Sequence, residues 1–403
     1  MKAGMEHTVI KSFGAGLSQK GVRNHNERLL LSLLQRHGEM PGSDLARLSS
    51  LSPPTVSAIL KRLETDGLLA RGEPTRGKVG KPSVPMRLSP DGVLSFGLKI
   101  GRRSADLLLM DFTGQVREQR HISYTFPTPE EVFAFLSNGM AQITAALPPD
   151  IAKRICGLGI AAPFEMWNWD DLVGEPSPAF LSWKDINIPA QVAAFSDLPV
   201  SLVNDATAAC QAEHVYGRGK NFTDYAYFFV GAFIGGGIVL NHSVVAGRQG
   251  NAGALGSLRS IGPHGESKQL VDMASIHLLE TRLEEVELDS AMIWQNPQDW
   301  SKIMRYVEPW LGQTAQELAK ASLSTCAVID FEAILIDGSF PDEIRTELVE
   351  RVRRYIATQD TRGLIPPVIE SGTIGGNARA IGAASGPIFS QFLLNTNAGL
   401  SVG

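Results

Sequence analysis

Cysteine is scarce in this chain. Only Cys156, Cys210 and Cys326 occur in 403 residues, odd in number and far apart, which excludes a disulfide framework. No Cys-x-x-Cys or Cys-x-Cys pair exists, so a cysteine-rich zinc module is excluded as well, and the thiols are expected to be buried and inert. Uninterrupted apolar runs of membrane-spanning length are missing too. The 23 residues Tyr225–Gly247 carry no Lys, Arg, Asp or Glu, but Gly235-Gly236-Gly237 and Asn241-His242-Ser243 break the run, which reads as two strands around a tight turn. Met1–Gly21 has no apolar core, so a secretory leader is not expected. The signature of disorder is also lacking: 43% of residues are hydrophobic and the net charge is only −5. What remains is a soluble, cytoplasmic protein of about two to three domains, with no membrane partner.

The small net charge hides a division. Residues 1–92 hold 14 of the 37 basic and 8 of the 42 acidic residues, a local +6 against −11 for the rest. A basic segment joined to an acidic body is the electrostatic footprint of a DNA-reading head on an effector domain.

The head's pattern agrees. Asn26 is expected to cap a helix with Leu29, Leu30, Leu33 and Leu34 on one face, closed by Gly38. Ser43 is expected to cap a short helix through Leu45, Ala46 and Leu48. After Ser49-Ser50-Leu51, Ser52 caps a third helix with Pro53 at its first position, where the missing N–H costs nothing. Val56, Ile59, Leu60 and Leu63 recur at helical spacing and face the core, and Gly67 ends the helix. The opposite face shows Thr55, Ser57, Ala58, Lys61 and Arg62, small groups for base edges and cations for phosphates. Leu68–Ala70 and Val84–Leu88 read as strands, and the loop with Arg76, Lys78 and Lys81 between them reads as a basic wing suited to a minor groove. A plain three-helix bundle with a solvated basic loop is the weaker alternative.

From Leu94 the chain alternates strand-like and helical patterns. Val93–Ile100 and Ala105–Asp111 read as a hairpin, 129–147 as a helix, and Ile155–Ala161 as a strand. Val200–Val203 runs into Asn204-Asp205 and a helix to Tyr216, which sets a carboxylate where a strand becomes a helix. Asn204-Asp205 could equally be a simple N-cap. Gly235-Gly236-Gly237 and the later Ser371–Asn377 read as glycine-rich turns that let backbone approach a phosphate or sugar closely. Neither ends in the Gly-Lys-Ser/Thr of a Walker A loop. The single histidines His242 and His264 have no ligand partners at metal spacing. Trp167 and Trp169, in the loop from Pro163 to Pro176, read as packing rather than ligand stacking. The run Ile303–Leu323 reads as an amphipathic core helix.

Together these segments resemble the ROK family (repressors, open reading frames, kinases) in its winged-helix repressor branch, from about Asn24 onward. In the head the resemblance rests on Leu51-Ser52-Pro53-Pro54-Thr55-Val56-Ser57, Leu63–Leu68 and Gly80-Lys81-Pro82. In the body it rests on Gly157–Pro163, Leu181–Asp185, Asn204-Asp205-Ala206 and Gly235–Asn241. It implies a winged helix-turn-helix at 1–90 followed by a two-lobed, actin-like, hexokinase-type α/β domain. The small lobe is expected at 91–210, completed by a C-terminal helix near 385–403, and the large lobe at 211–384. The ligand is expected between the lobes, at Asn204, Asp205, Gly236, Gly237, Ala254 and Ser257.

Departures from the family's kinases set the expected activity. Their Asp-x-Gly-Gly-Thr phosphate loop reads Lys99-Ile100-Gly101-Arg102-Arg103, and a lysine repels the metal that the Asp would help hold. Their Gly-Glu-x-Gly-His reads Gly253-Ala254-Leu255-Gly256-Ser257, and Ile261–Ser267 replaces the cysteine zinc loop. The expectation is a transcriptional regulator, homodimeric or homotetrameric, that binds operator DNA and senses a sugar-like molecule in a degenerate kinase cleft, without cofactor or metal. Lys99, Arg102 and Arg103 offer a place for an anionic group, which would admit a sugar phosphate. An active ATP-dependent sugar kinase with a fused head is the alternative, and a protein-interaction module is the third class.

Overall fold

A computed structural model describes residues 19–74, 84–163, 181–295 and 297–394, with side chains from residue 25 onward. The basic-wing residues Arg76, Lys78 and Lys81, and the tryptophans Trp167 and Trp169, lie outside the described residues.

The head is formed by α1 (Gln19–His37), α2 (Gly42–Ser49) and α3 (Pro53–Thr65), then an antiparallel pair, β1 (Leu69–Arg71) and β2 (Met86–Leu88). Ser52 caps α3 and accepts a hydrogen bond from the Thr55 N–H, with Val56, Ile59, Leu60 and Leu63 buried. Gly38 ends α1 at φ +77°, its N–H donating to the Leu34 carbonyl. Two expected caps are corrected. The first helix starts at Gln19, so Asn26 lies inside it; Gly21 costs only about 1 kcal/mol in a helix interior, too little to stop one anchored by buried Leu30, Leu31 and Leu34. Ser43 lies within α2, whose N-cap is Pro41 in extended conformation. That register buries Leu45 and Ala46 and leaves Leu48 41% exposed.

The body repeats one topology twice. The first sheet has the order β5-β4-β3-β6-β7, built from β3 (Leu94–Ile100), β4 (Ser104–Asp111), β5 (Val116–Ser123), β6 (Ile155–Ala162) and β7 (Val200–Asn204). Helices α4 (Pro129–Ala146), α5 (Pro149–Ala152) and α6 (Ile188–Ala193) connect its strands, and α7 (Asp205–Tyr216) follows it. The second sheet has the order β10-β9-β8-β13-β14, from β8 (Tyr225–Val230), β9 (Ile234–Leu240), β10 (Ser243–Val244), β13 (Ala333–Gly338) and β14 (Val368–Ser371). A hairpin, β11 (Arg259–Ile261) and β12 (Ser267–Gln269), and helices α8 (His277–Glu284), α9 (Met304–Val328) and α10 (Asp342–Ile356) fill its connections. α11 (Ala378–Phe392) follows it. In each sheet a three-strand antiparallel meander meets two parallel strands.

The two closing helices are exchanged between the lobes. α7 lies on the second sheet, while α11 lies on β3 and β6 of the first. Glycine makes that contact possible: a Cβ at Gly159 would overlap the Ala383 carbonyl, and one at Gly382 the Ala208 carbonyl. The helix that covers the first sheet runs from Ala378 to Phe392. Beneath the second sheet, Trp300, Trp310 and Phe340 pack edge to face, and α9 buries Val307, Trp310, Leu311 and Leu318, as its amphipathic pattern requires. Among the described residues no helix is long and apolar enough to cross a membrane.

Candidate functional site

Two regions carry chemistry. On the head, Thr55, Ser57, Ala58 and Lys61 stand exposed on one face of α3. Thr55 Oγ1 lies 2.8 Å from Ser52 Oγ. Arg62 is half-buried and ion-paired with Glu27 of α1, so its charge braces α3 against α1. Lys61 is left as the exposed cation of the expected pair.

The second region is the boundary between the lobes, where Asp205 meets Arg379. The parallel pair β6 and β7 delivers Asn204 to the start of α7, where its Oδ1 accepts from the Ala206 and Thr207 N–H groups at 3.0 and 3.2 Å. The side chain thus caps the helix. Asp205, in the first turn, faces Arg379 from the first turn of α11, with 3.5 Å between Oδ2 and Nη1. The guanidinium also lies 4.9 Å over the Phe229 ring and donates to Ser339 Oγ at 3.3 Å. A cation in the first turn of a helix opposes the helix dipole, so Arg379 depends on these partners. Its Nε is buried without one.

Lys99 lies close enough to feel the charges of both Asp205 and Arg379. The residue is 6% exposed, and its ammonium donates to Ser104 O, Ser104 Oγ and Asp106 Oδ2 at 3.1, 2.7 and 3.1 Å. Burial pushes its pKa below the ordinary lysine range, against the pull of Asp106. Burial acts to raise the Asp106 carboxyl, but Lys99 and the His121 imidazole hold it well below the usual carboxylate range.

The arginines of the loop expected to meet an anion have acidic partners within the fold. Arg102 Nη1 donates to Glu280 Oε2 on α8 at 3.0 Å, with both side chains under 10% exposed. Arg103 reaches the other oxygen at 3.4 Å, and Trp294 Nε1 donates to it at 2.8 Å. Lys99 is engaged by Asp106, while Arg102 and Arg103 share the single carboxylate of Glu280. Arg102–Glu280 and Asp205–Arg379 both tie one lobe to the other.

The glycine triplet is corrected as well. Gly235, Gly236 and Gly237 lie inside β9, paired with Phe229, Phe228 and Tyr227, and the turn falls earlier. A Cβ at Gly237 would come 2.5 Å from that of Cys210 on α7, and one at Gly236 2.5 Å from Leu255 Cδ1. Protein atoms take the space beside both residues, which accounts for glycine there by packing. Gly253, at φ +75°, seats the next loop on Gly237. Ala254 and Ser257 stand exposed on that loop. The second glycine-rich segment is a loop, with Gly375 at φ +72° donating to Asp337. Burial raises the Asp337 carboxyl to about 6 in spite of its ion pair with Arg345. Among the described residues no group of three His, Cys, Asp or Glu side chains could hold a metal. All three cysteines are free, and burial raises Cys156 to about 12 and Cys326 to about 11.

Sequence reasoning missed Arg379 and Glu280. A signal existed for the first: Arg379 is the sole charge in α11, whose other residues are mostly small or apolar.

Residues 95–386 match the model of the ROK family, and residues 23–70 match a winged helix-turn-helix DNA-binding model. The chain belongs to the ROK family. An uncharacterised protein of Sinorhizobium fredii is 25% identical over 91% of both chains. The xylose repressor of Bacillus subtilis is 22% identical over 60% of this chain and 62% of its own length. The transcriptional dual regulator NagC of Escherichia coli is also 22% identical, over 61% and 59%. This ROK chain thus spans about three-fifths of the two regulators it matches. Among solved structures, a ROK transcriptional regulator described as a homologue of the E. coli MLC protein superposes with TM-score 0.63 at 18% identity, over 92% and 96% of the two chains. A Streptomyces griseus ROK glucokinase solved with glucose and AMPPNP gives 0.55 at 18%, over 72% and 98%. The two likenesses establish a shared fold for the body, and the first covers the head as well.

Proposed function

We propose that this ROK protein is a transcriptional regulator of the cytoplasm. It reads duplex operator DNA with α3 and the basic segment between β1 and β2, and it senses a small sugar-like effector beside Asp205 without phosphorylating it. The observation that carries the reading is the fate of the kinase phosphate loop. Phosphoryl transfer relies on a cradle of backbone N–H groups and a bound metal. Here that loop is pinned to Glu280, with an ammonium at its base. Retention of Asn204, Asp205 and the winged head, together with a relative named xylose repressor, favours a cleft kept for recognition. Vicinal hydroxyls can both donate and accept, which suits a site offering Asp205, the Asn204 amide and Arg379. Two copies of the head would engage two half-sites, which favours a homodimer or homotetramer.

One observation favours a sugar kinase instead: Asp205 stands at the lobe boundary at the N-terminus of α7, where a general base would serve. A single experiment on the full chain separates the two. Sugars are screened for release or retention of operator DNA by fluorescence anisotropy, and the same mixtures with Mg-ATP are assayed for ADP. A sugar that shifts DNA affinity and yields no ADP supports the regulator. Steady phosphorylation that Asp205→Asn abolishes would establish the kinase.

A further inference from the structure

A cavity of about 580 Å³ lies away from the Asp205–Arg379 pair, at the seam between head and body, walled by α1, β7, α7 and α11. Its size falls within the range of small-molecule sites. Three of its side chains are cations: Arg28 and Arg36 from the head, and Lys220 from the body, with the imidazoles of His214 and His242 beside them. No Asp or Glu lines it. Among the described residues no carboxylate comes within ion-pair distance of Arg28, Arg36 or Lys220. The guanidiniums are instead held by neutral acceptors. Arg28 donates to the carbonyls of Phe389, Ser390 and Leu393 at 2.8–2.9 Å, and Arg36 donates to His242 Nδ1 at 2.9 Å. The rest of the wall mixes polar groups, such as Ser32, Gln35 and Gln211, with an apolar part formed by Leu202, Val215, Phe389 and Leu393.

Like cations gathered around a partly closed space repel one another, and their attraction for an anion is strengthened by the low dielectric. We propose that this seam is a second ligand site, for a small organic anion whose phosphate or carboxylate meets Arg36 and Lys220 and whose body rests on Phe389 and Leu393. It is separate from the Asp205–Arg379 pair. Thr207, Gln211, His214 and Val215 form the stripe of α7 that faces the seam, and Asp205 lies about 200° around the helix from Thr207. Because Arg36 belongs to α1 and Lys220 to the body, a bound anion joins the two. α1 in turn braces the DNA-reading helix through Glu27–Arg62, so occupancy of the seam changes how freely the head is presented to DNA.

The test uses calorimetric titration of the full chain with phenyl phosphate, benzoate and neutral benzyl alcohol. At least one of the two anions should bind ten times more tightly than benzyl alcohol, and which one does so identifies the headgroup. The double variant Arg36→Gln/Lys220→Gln should lose at least tenfold in that affinity, while Arg36→Lys keeps it and Arg259→Gln, a charge removed elsewhere on the surface, leaves it unchanged. Unaltered melting of each variant by circular dichroism excludes misfolding as the cause. Equal binding of the three compounds, or undiminished binding by the double variant, overturns the proposal. So does loss of anion binding in Lys61→Ala, which would put the anion on the DNA face. Operator affinity and sugar response are measured separately, so failure here leaves the regulator reading standing.

Discussion

Arg379 shows how much a single side chain decides in this molecule. Its charge sits at the unfavourable end of a helix and is offset by Asp205 from the other lobe. Both side chains are under 20% exposed, so removing either leaves a largely buried charge alone, a loss that reaches several kcal/mol in fully buried pairs. Arg379→Ala should therefore cost about 2 kcal/mol in urea unfolding. Adding Asp205→Asn should recover part of that loss, and strict additivity of the two would show that the residues are not coupled. His214 supplies a pH signature. Burial lowers its pKa from 6.5 to about 4, partly countered by donation from Nε2 to the His242 carbonyl. Between those values the unfolded chain takes up a proton that the folded chain refuses, so this group makes stability fall as pH drops from 6.5 towards 4. Asp337, raised to about 6, binds its proton in the folded state first and acts in the opposite direction. The difference between wild type and His214→Gln isolates the histidine: the variant's unfolding midpoint should decline less over that window.

At the scale of elements, legibility followed distance along the chain. The third head helix was readable because cap, proline and apolar spacing all lie within Ser52–Thr65. Replacing Ser52 with Ala should cost about 1 kcal/mol of thermal stability. In contrast, Lys61→Ala should leave stability unchanged while lowering the salt slope of DNA binding by about one unit. The glycine triplet was misread because its local preference is for a turn, whereas α7 lies over β9 and needs a bare strand there. The Arg102–Glu280 and Asp205–Arg379 pairs join residues 178 and 174 positions apart, which no local pattern can reveal. Asn204 and Asp205 were placed correctly at the end of a strand, but their partners were not foreseen. The same long-range packing makes Gly382 intolerant. A side chain there meets the Ala208 carbonyl, backbone that cannot rotate away, so Gly382→Val should destabilise by about 3 kcal/mol and be visible as an early loss in thermal melts.

At the scale of the whole molecule, the two lobes are topological copies, each covered by the other's closing helix, and the head is fastened to the end of the second. Arg28 grips the last turn of α11 from a position more than 360 residues earlier, and the Leu394 N–H returns a bond to Ser32. This arrangement orders events during synthesis on the ribosome. The contacts among α1, α2 and α3 are local, so the head's own core can form as soon as it emerges, before Arg28 finds α11. The first sheet cannot bury its α11 face until the final helix has left the exit tunnel, because that helix is the cover for Gly97 and Gly159. A chain stopped after Asn377 should therefore keep a protease-resistant head while its body is digested, whereas the full chain resists throughout. Under the proposed function, an interrupted translation product of this kind would carry the DNA-facing surface of α3 without the folded lobes that hold the effector site.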